Sequence, residues 1–411
     1  MRIAVVEPVG KGGLVHYAFQ LCRALAGAGA EVTLVTDRGF ELADLPRCFA
    51  LAQPFALWDP KPARDGSGRY ARRLRRGARG VRYALHWPRL ATCLRRLRPE
   101  WTLLSDLRFA GDVAGIGLLR SAGLRLADIC HNVEPLTLAG DGAGGFRSGG
   151  LKGTCLRAAY RRMDRIFVHY ESNRERFLAR WGVAVERVVA IPHGDESLFA
   201  ELADAAVGPE TLRSRLDLRP SAPVVLFFGT LSRYKGVDLL LEAFARVLAA
   251  RPDARLVVAG FPTPDFDLDA HRMQAARLDV GAAVRWLPEY VPLGEVAAWF
   301  RLAAIAVFPY RDVSQSGALA AAATFATPVV ATDVGALGEV VRDRETGRLV
   351  RAEQIEELAA AILDLLHDPA LAAALGRRLA GESATRASWP AVARAILATL
   401  EGPAAAGGER P

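Results

Sequence analysis

No stretch of about 18 uninterrupted apolar residues occurs in this 411-residue chain, so a membrane-spanning helix is not expected. Cysteine is scarce. The five present (Cys22, Cys48, Cys93, Cys130 and Cys155) are odd in number and lack metal-like spacing. That excludes a disulfide scaffold and fits a reduced compartment. Lysine is scarcer still, with only Lys11, Lys61, Lys152 and Lys235 among 53 basic residues. A single lysine here therefore carries more information than a single arginine. Acidic residues are missing altogether between Arg69 and Arg98, where 11 arginines alternate with Tyr70, Leu74, Val81, Tyr83, Leu85, Trp87, Leu90 and Leu94. Such a stretch suits peripheral contact with an anionic membrane, or equally a solvated helix face over a buried stripe; Gly77, Gly80 and Pro88 interrupt it. The opening MRIAVVEPVG enters a β run at once, without the apolar core of a secretion signal. The expected location is cytoplasmic, at most peripheral on the inner face of the membrane.

What is present is an ordinary globular composition, 51% hydrophobic and 24% charged. The length suits two domains of roughly 200 residues each. A net charge of +8 admits anionic partners without choosing among them. Apolar β runs alternate with helical runs: RIAVVEP, EVTLVTD, WTLLSD, RLADICHN, RIFVHY and ERVVAIPHG, then PVVLFFG, ARLVVAG, AAVRWLP, IAVFPY and PVVATD. This alternation predicts an α/β fold of two doubly wound parallel sheets, whose strand ends face each other across a cleft. The expected division is 1–196 for the first domain, 197–222 for a linker and 223–385 for the second domain. A last helix at 386–401 is expected to pack back toward the first domain, and 402–411 reads as a disordered tail.

Three stretches could carry chemistry. After the first strand, VGKGGLVHY offers Gly12 and Gly13 beside a helix N-terminus, which suits an anion or a close-packed sugar. As a dinucleotide fingerprint it fails, because Val15 stands at the third glycine position; Asp37 after the second strand keeps a nicotinamide dehydrogenase as an alternative. In FFGTLSRYKGVDLL, Arg233 and Lys235 flank Tyr234 beside glycines at a helix entry, a plausible pyrophosphate clamp. In PYRDVSQSGALAAAAT, Ser314, Gln315 and Ser316 supply polar side chains. The amides of Gly317, Ala318 and Leu319 can be left free at a helix start. Asp265, Asp267 and Asp269 read as a solvated loop, Glu339 as a brace of the second half, and His193 and Gly194 as shaping the domain junction.

The order of the GG loop, HN, IPHG, GTLSRYKGVDLLLEAF, VVAG and PVVATDVGALGEVVRDRETGRLV resembles a family 4 glycosyltransferase of the GT-B fold, from Met1 to about Leu400. The resemblance implies Rossmann-like domains and sugar transfer from a nucleotide diphosphate donor with retention, without a metal or other cofactor. It aligns Gly12 and Gly13 with the loop near the donor, His131 with a histidine beside the donor sugar, and Lys235 with the pyrophosphate lysine. Tyr290 and Val291 lie where the family contacts the base. Thr230 replaces the family's arginine, whose charge Arg233 is expected to supply. Two glutamates usual in the family fall on Val313 and Ala321, so ribose recognition is unassigned.

In such a site the acceptor hydroxyl attacks from the face of the departing diphosphate, and the protein holds both partners while stabilising charge on the leaving group. The expected partners are a nucleotide-sugar donor and a lipid-linked or polysaccharide acceptor of cell-envelope glycan synthesis. The missing glutamates keep a silent sugar-nucleotide binder as an alternative. Nucleic acid is not expected, because the arginines form no recognised module.

Overall fold

The structure, a computed structural model, describes residues 1–57, 69–105, 107–134 and 150–402, with the backbone alone for 69–78. The expected tail beyond 402, and the side chains of Tyr70 and Leu74, lie outside the described residues. The described chain forms two compact units, one from residues up to 192 and after 388, the other from 193–388.

In the first unit, β1 (Arg2–Val6), β2 (Glu31–Asp37), β3 (Ala50–Phe55), β4 (Trp101–Ser105), β5 (Leu126–Cys130), β6 (Arg165–His169) and β7 (Val188–Ile191) form one sheet in the order 3-2-1-4-5-6-7. Every neighbouring pair is parallel. The central strands show why: β4, β5 and β6 are buried at every position, as strands covered on both faces must be. In the second unit, β8 (Val224–Phe228), β9 (Arg255–Ala259), β10 (Val284–Leu287), β11 (Ile305–Phe308), β12 (Val329–Thr332) and β13 (Arg348–Val350) run parallel in the order 10-9-8-11-12-13. Each sheet reverses its strand order once, between β1 and β4 and between β8 and β11. Ligands of open α/β sheets settle outside the strand ends at such a reversal.

Three helices of the first unit carry residues of interest: α1 (Gly13–Gly27), α2 (Arg69–Leu97) and α3 (Asp112–Ser121). α1 buries Val15, Phe19, Cys22 and Leu25, the stripe its spacing predicts. α2 runs unbroken through Gly77, Gly80 and Pro88. Trp87, Leu90 and Leu94 join the core, whereas Val81 and Leu85 are 60% and 49% exposed. The helix Trp389–Glu401 belongs to the first unit. Trp389 Nε1 donates to Gln20 Oε1 of α1 at 3.1 Å, and Trp101 Nε1 donates to the Leu400 carbonyl at 3.2 Å. Residues 197–222 hold two short helices, Ser197–Glu201 and Pro209–Arg215, both in the second unit. Among the described residues no single helix is long and apolar enough to cross a membrane.

Candidate active site

In the second unit, the residues read as a phosphate clamp gather at the β8/β11 reversal. β8 ends at Phe228, and Gly229 follows with φ of +120°. A side chain there would be strained, and its first carbon would stand 3.1 Å from Lys235 Nζ and 3.7 Å from Ala318 Cβ. The missing side chain thus leaves a space bounded by the lysine and by the helix Gly317–Thr324. Lys235 closes a 3-10 turn, Arg233–Lys235, and is only 8% exposed. Its Nζ lies 5.3 Å from the Tyr310 ring centroid and 6.0 Å from that of Tyr234. Burial lowers its pKa to about 8. Among the described residues no carboxylate pairs with it.

The helix Gly317–Thr324 supplies the opposite wall. Ser316 is its N-cap, its Oγ accepting from Leu319 N at 3.2 Å, while Ala320 N bonds the Ser316 carbonyl at 3.0 Å. This corrects one expectation: the Leu319 amide is taken, because a serine at an N-cap satisfies the third amide of its own helix. The amides of Gly317 and Ala318 make no hydrogen bond among the described residues. The Gln315 Oε1 atom is buried, also without a partner among them. Ser314 is buried, and the Tyr310 hydroxyl lies 3.4 Å from Ser316 Oγ.

A buried carboxylate reaches this helix start from another segment. Glu196 is buried, and its Oε1 lies 3.3 Å from where a Cβ on Gly317 would stand. Its own amide donates to Thr324 Oγ1 at 3.0 Å, which fixes the segment on the helix. A carboxylate beside a helix N-terminus is electrostatically favoured. His193, just before it, is buried and held neutral, its pKa lowered by burial to about 4. Val313 and Ala321, the positions of the family's glutamates, are both buried apolar side chains.

The clamp turn is braced by residues that sequence reasoning missed. Arg311 donates from Nη1 and Nη2 to Asp238 at 2.8 and 2.6 Å, from Nη1 to the Arg233 carbonyl at 3.1 Å, and from its amide to the Tyr234 carbonyl at 2.8 Å. Burial alone would raise the Asp238 carboxyl, but the bonds and charge of Arg311 outweigh it and hold the pKa below its ordinary value. Asp265 Oδ2 accepts from the Arg233 amide at 3.2 Å, Asp267 caps the helix Leu268–Arg277, and Asp269 pairs at the surface with Arg272. These aspartates are therefore structural. The Arg233 side chain and Thr230 are exposed. Tyr290 is 36% exposed and Val291 buried, just beyond β10. Glu339 is exposed in the first turn of the short helix Leu337–Val340.

Gly12, Gly13 and His131 belong to the first unit. The glycine loop is not an open row of amides, a second correction. Glu41 accepts from Gly12 N at 2.5 Å and bonds His16 Nε2 at 2.7 Å, so a carboxylate from the segment after β2 holds the loop. Gly13 opens α1 and is exposed. His131, at the end of β5, is buried. Its Nδ1 lies 3.2 Å from His169 Nε2, and its ring packs edge-on against Tyr17 at 4.6 Å.

A profile described as Glycosyltransferase Family 4 matches residues 11–195, and one described as Glycosyl transferases group 1 matches residues 222–368. The D-inositol 3-phosphate glycosyltransferase 1 of Catenulispora acidiphila is 33% identical over 254 residues, covering 60% of this chain and 59% of that protein. The D-inositol 3-phosphate glycosyltransferase of Streptomyces avermitilis is 33% identical over 225 residues, 53% of this chain and 45% of its own. The chain thus spans about half the length of these relatives. Sucrose-phosphate synthase from Thermosynechococcus elongatus shares the fold over 97% of both chains, with a TM-score of 0.70 and 20% identity. HepE of Anabaena, solved in complex with UDP, shares it over 97% of this chain and 99% of its own, with a TM-score of 0.68 and 18% identity. The chain belongs to the family 4 type of glycosyltransferases with the GT-B fold.

Proposed function

We propose that the protein transfers a sugar from a nucleotide diphosphate donor to a hydroxyl acceptor, with retention and without a metal. The observation that carries this is Lys235, a buried cation with no carboxylate partner among the described residues, facing two unbonded helix amides across the space left by Gly229. A buried charge lacking its counter-ion is costly, and a diphosphate supplies both the charge and the acceptor oxygens for Gly317 and Ala318. Arg233, exposed on the same turn, adds a second cation in place of the arginine that Thr230 replaces.

In the reaction the bond between the anomeric carbon and the diphosphate oxygen breaks, and a bond to the acceptor oxygen forms on the same face. The acceptor proton passes to the departing diphosphate. Lys235 and the helix amides stabilise the charge that develops there. Gln315 Oε1 and the Glu196 carboxylate are acceptors only, so they suit hydroxyl groups of the donor. They take over the reading that Val313 and Ala321 cannot perform. His131 and the Gly12–Gly13 loop orient the sugar, and Tyr290 and Val291 receive the base.

UDP is the first nucleotide to try, because HepE was solved with it. The acceptor is a sugar-bearing intermediate of envelope glycan synthesis, and α2 brings the protein to an anionic membrane surface. A second reading, a silent sugar-nucleotide binder, rests on the burial of Val313 and Ala321. The two separate on turnover. A donor identified by thermal shift is incubated with candidate acceptors, and release of the nucleoside diphosphate is followed. Lys235→Ala is expected to lower that release by about 10²–10³-fold. Near-normal release from this variant refutes the clamp, and donor affinity unchanged in Arg233→Ala removes Arg233 from it.

A further inference from the structure

Arg311 lies between β11 and the helix Gly317–Thr324, on the segment that supplies one wall of the phosphate space, and it bonds the turn that supplies the other. We infer that Arg311 is a positioning residue of the transfer reaction, which acts through Lys235 by keeping that turn closed against water. The inference rests on the transferase reading and adds to it the device that sets the clamp.

The backbone just before Lys235 is held by this one residue. The Arg233 carbonyl accepts from its guanidinium, and the Tyr234 carbonyl accepts from its amide. The guanidinium is anchored in turn by its paired bonds to Asp238, in the first turn of the helix Val237–Ala250 that follows the clamp. A planar fork on a carboxylate fixes direction as well as distance, which a lysine in its place would not do. Gly236 gives independent support. Its φ is +67°, and a Cβ on it would stand 2.0 Å from the Pro309 carbonyl oxygen, so the turn rests directly on the segment that carries Arg311. Arg311 Nε also donates to Glu353 at 3.0 Å, and Glu353 holds a φ of +60° in the loop after β13. A residue other than glycine keeps such a backbone only where its surroundings impose it. The guanidinium thus joins the clamp turn, its own loop and the loop after β13 into one support.

The consequence falls on the amine of Lys235. It lies near the rings of Tyr234 and Tyr310, and burial lowers its pKa. Both phenols are pushed well above their ordinary value by burial, so they stay neutral while the lysine titrates. A turn released from Arg311 admits water to the amine, whose pKa then returns toward its ordinary 10.5.

The test uses the full chain with isotope-labelled lysine, followed by NMR as pH is raised. With four lysines in the chain, the Lys235 signal is identified as the one missing from Lys235→Arg. Its midpoint is expected near about 8 in the wild type, and at least about one unit higher in both Arg311→Met and Asp238→Ala. These variants change the local charge in opposite senses. Deleting a cation by itself raises a neighbouring lysine's pKa, and deleting an anion lowers it, so only a loosened turn moves both up. A midpoint that stays in place in either variant, or moves down in Asp238→Ala, overturns the inference. Arg311→Lys keeps the charge and loses the fork, so its midpoint is expected between those of the wild type and Arg311→Met. Should circular dichroism show either replacement to be misfolded, this milder variant decides, and a wild-type midpoint in it overturns the inference. UDP affinity, measured separately by calorimetry, is expected to fall about tenfold in Arg311→Met and Asp238→Ala. Unchanged affinity beside a shifted midpoint overturns the inference as well. A wild type that binds no UDP speaks against the donor reading instead, and the lysine titration still decides the role of Arg311.

Discussion

Lys235 ties the site to pH. In the fold it titrates near about 8, below its ordinary value of 10.5, because burial penalises the charged form. Between those two values the unfolded chain holds a proton that the folded one has lost, so stability of the unliganded protein rises with pH across that window. Below about 8 both states are charged and the burial cost is fully present. Donor binding runs the other way, since it needs the charged amine. UDP affinity is expected to be flat from pH 7 to 7.5 and to fall about tenfold per unit above about 8. Calorimetric titrations between pH 7 and 9.5 check this, and a flat profile would remove Lys235 from contact with the diphosphate. Lys235 is legible in the sequence because lysine is so rare in the chain. Glu196 and Arg311 are not, since their partners lie more than a hundred residues away in the first case and, for Asp238 and Arg233, 73 to 78 residues away in the second. Burial and pairing are properties of folding, and no local pattern announces them.

At the scale of elements, the long apolar strands are legible because burial on both faces demands an unbroken run of apolar residues. Two of the four edge strands are not. β3 carries Pro54 and is mostly half-exposed, and β13 has three residues, so neither shows the core pattern. The sequence of α2 admits two readings, and its described part holds the buried stripe of one and an exposed apolar pair that the other would use. Trp87, Leu90 and Leu94 form the buried stripe, while Val81 and Leu85, one turn apart, stand exposed beside exposed Arg82 and Arg89. An apolar pair set among cations is the arrangement that adsorbs to an anionic bilayer. Co-sedimentation with phosphatidylglycerol-containing vesicles is expected at low salt and to drop severalfold in the double variant Val81→Asp, Leu85→Asp. Equal binding by this variant, or equal binding to neutral phosphatidylcholine vesicles, would dismiss the membrane role.

At the scale of the whole molecule, the chain leaves the first unit at 192 and returns at 389 with a helix that the first unit needs. Trp389, Val392, Ile396 and Leu400 are buried there. At roughly 1.5–3 kcal/mol for each large apolar side chain, the helix contributes on the order of 6–12 kcal/mol as an upper bound. That is comparable to the entire stability of a typical domain. Truncation after Ser388 is therefore expected to abolish the first unit's calorimetric unfolding transition while the transition of the second unit persists. Retention of both transitions would show that the helix is dispensable.

The returning helix also orders events on the ribosome. The stretch 193–388 is continuous in sequence and can condense as soon as it has left the exit tunnel. The face of α1 that carries Tyr17 and Gln20 stays uncovered until translation has passed Trp389. The nascent polypeptide thus finishes its middle before its beginning, and the amino-terminal sheet is the part that a chaperone must shelter longest.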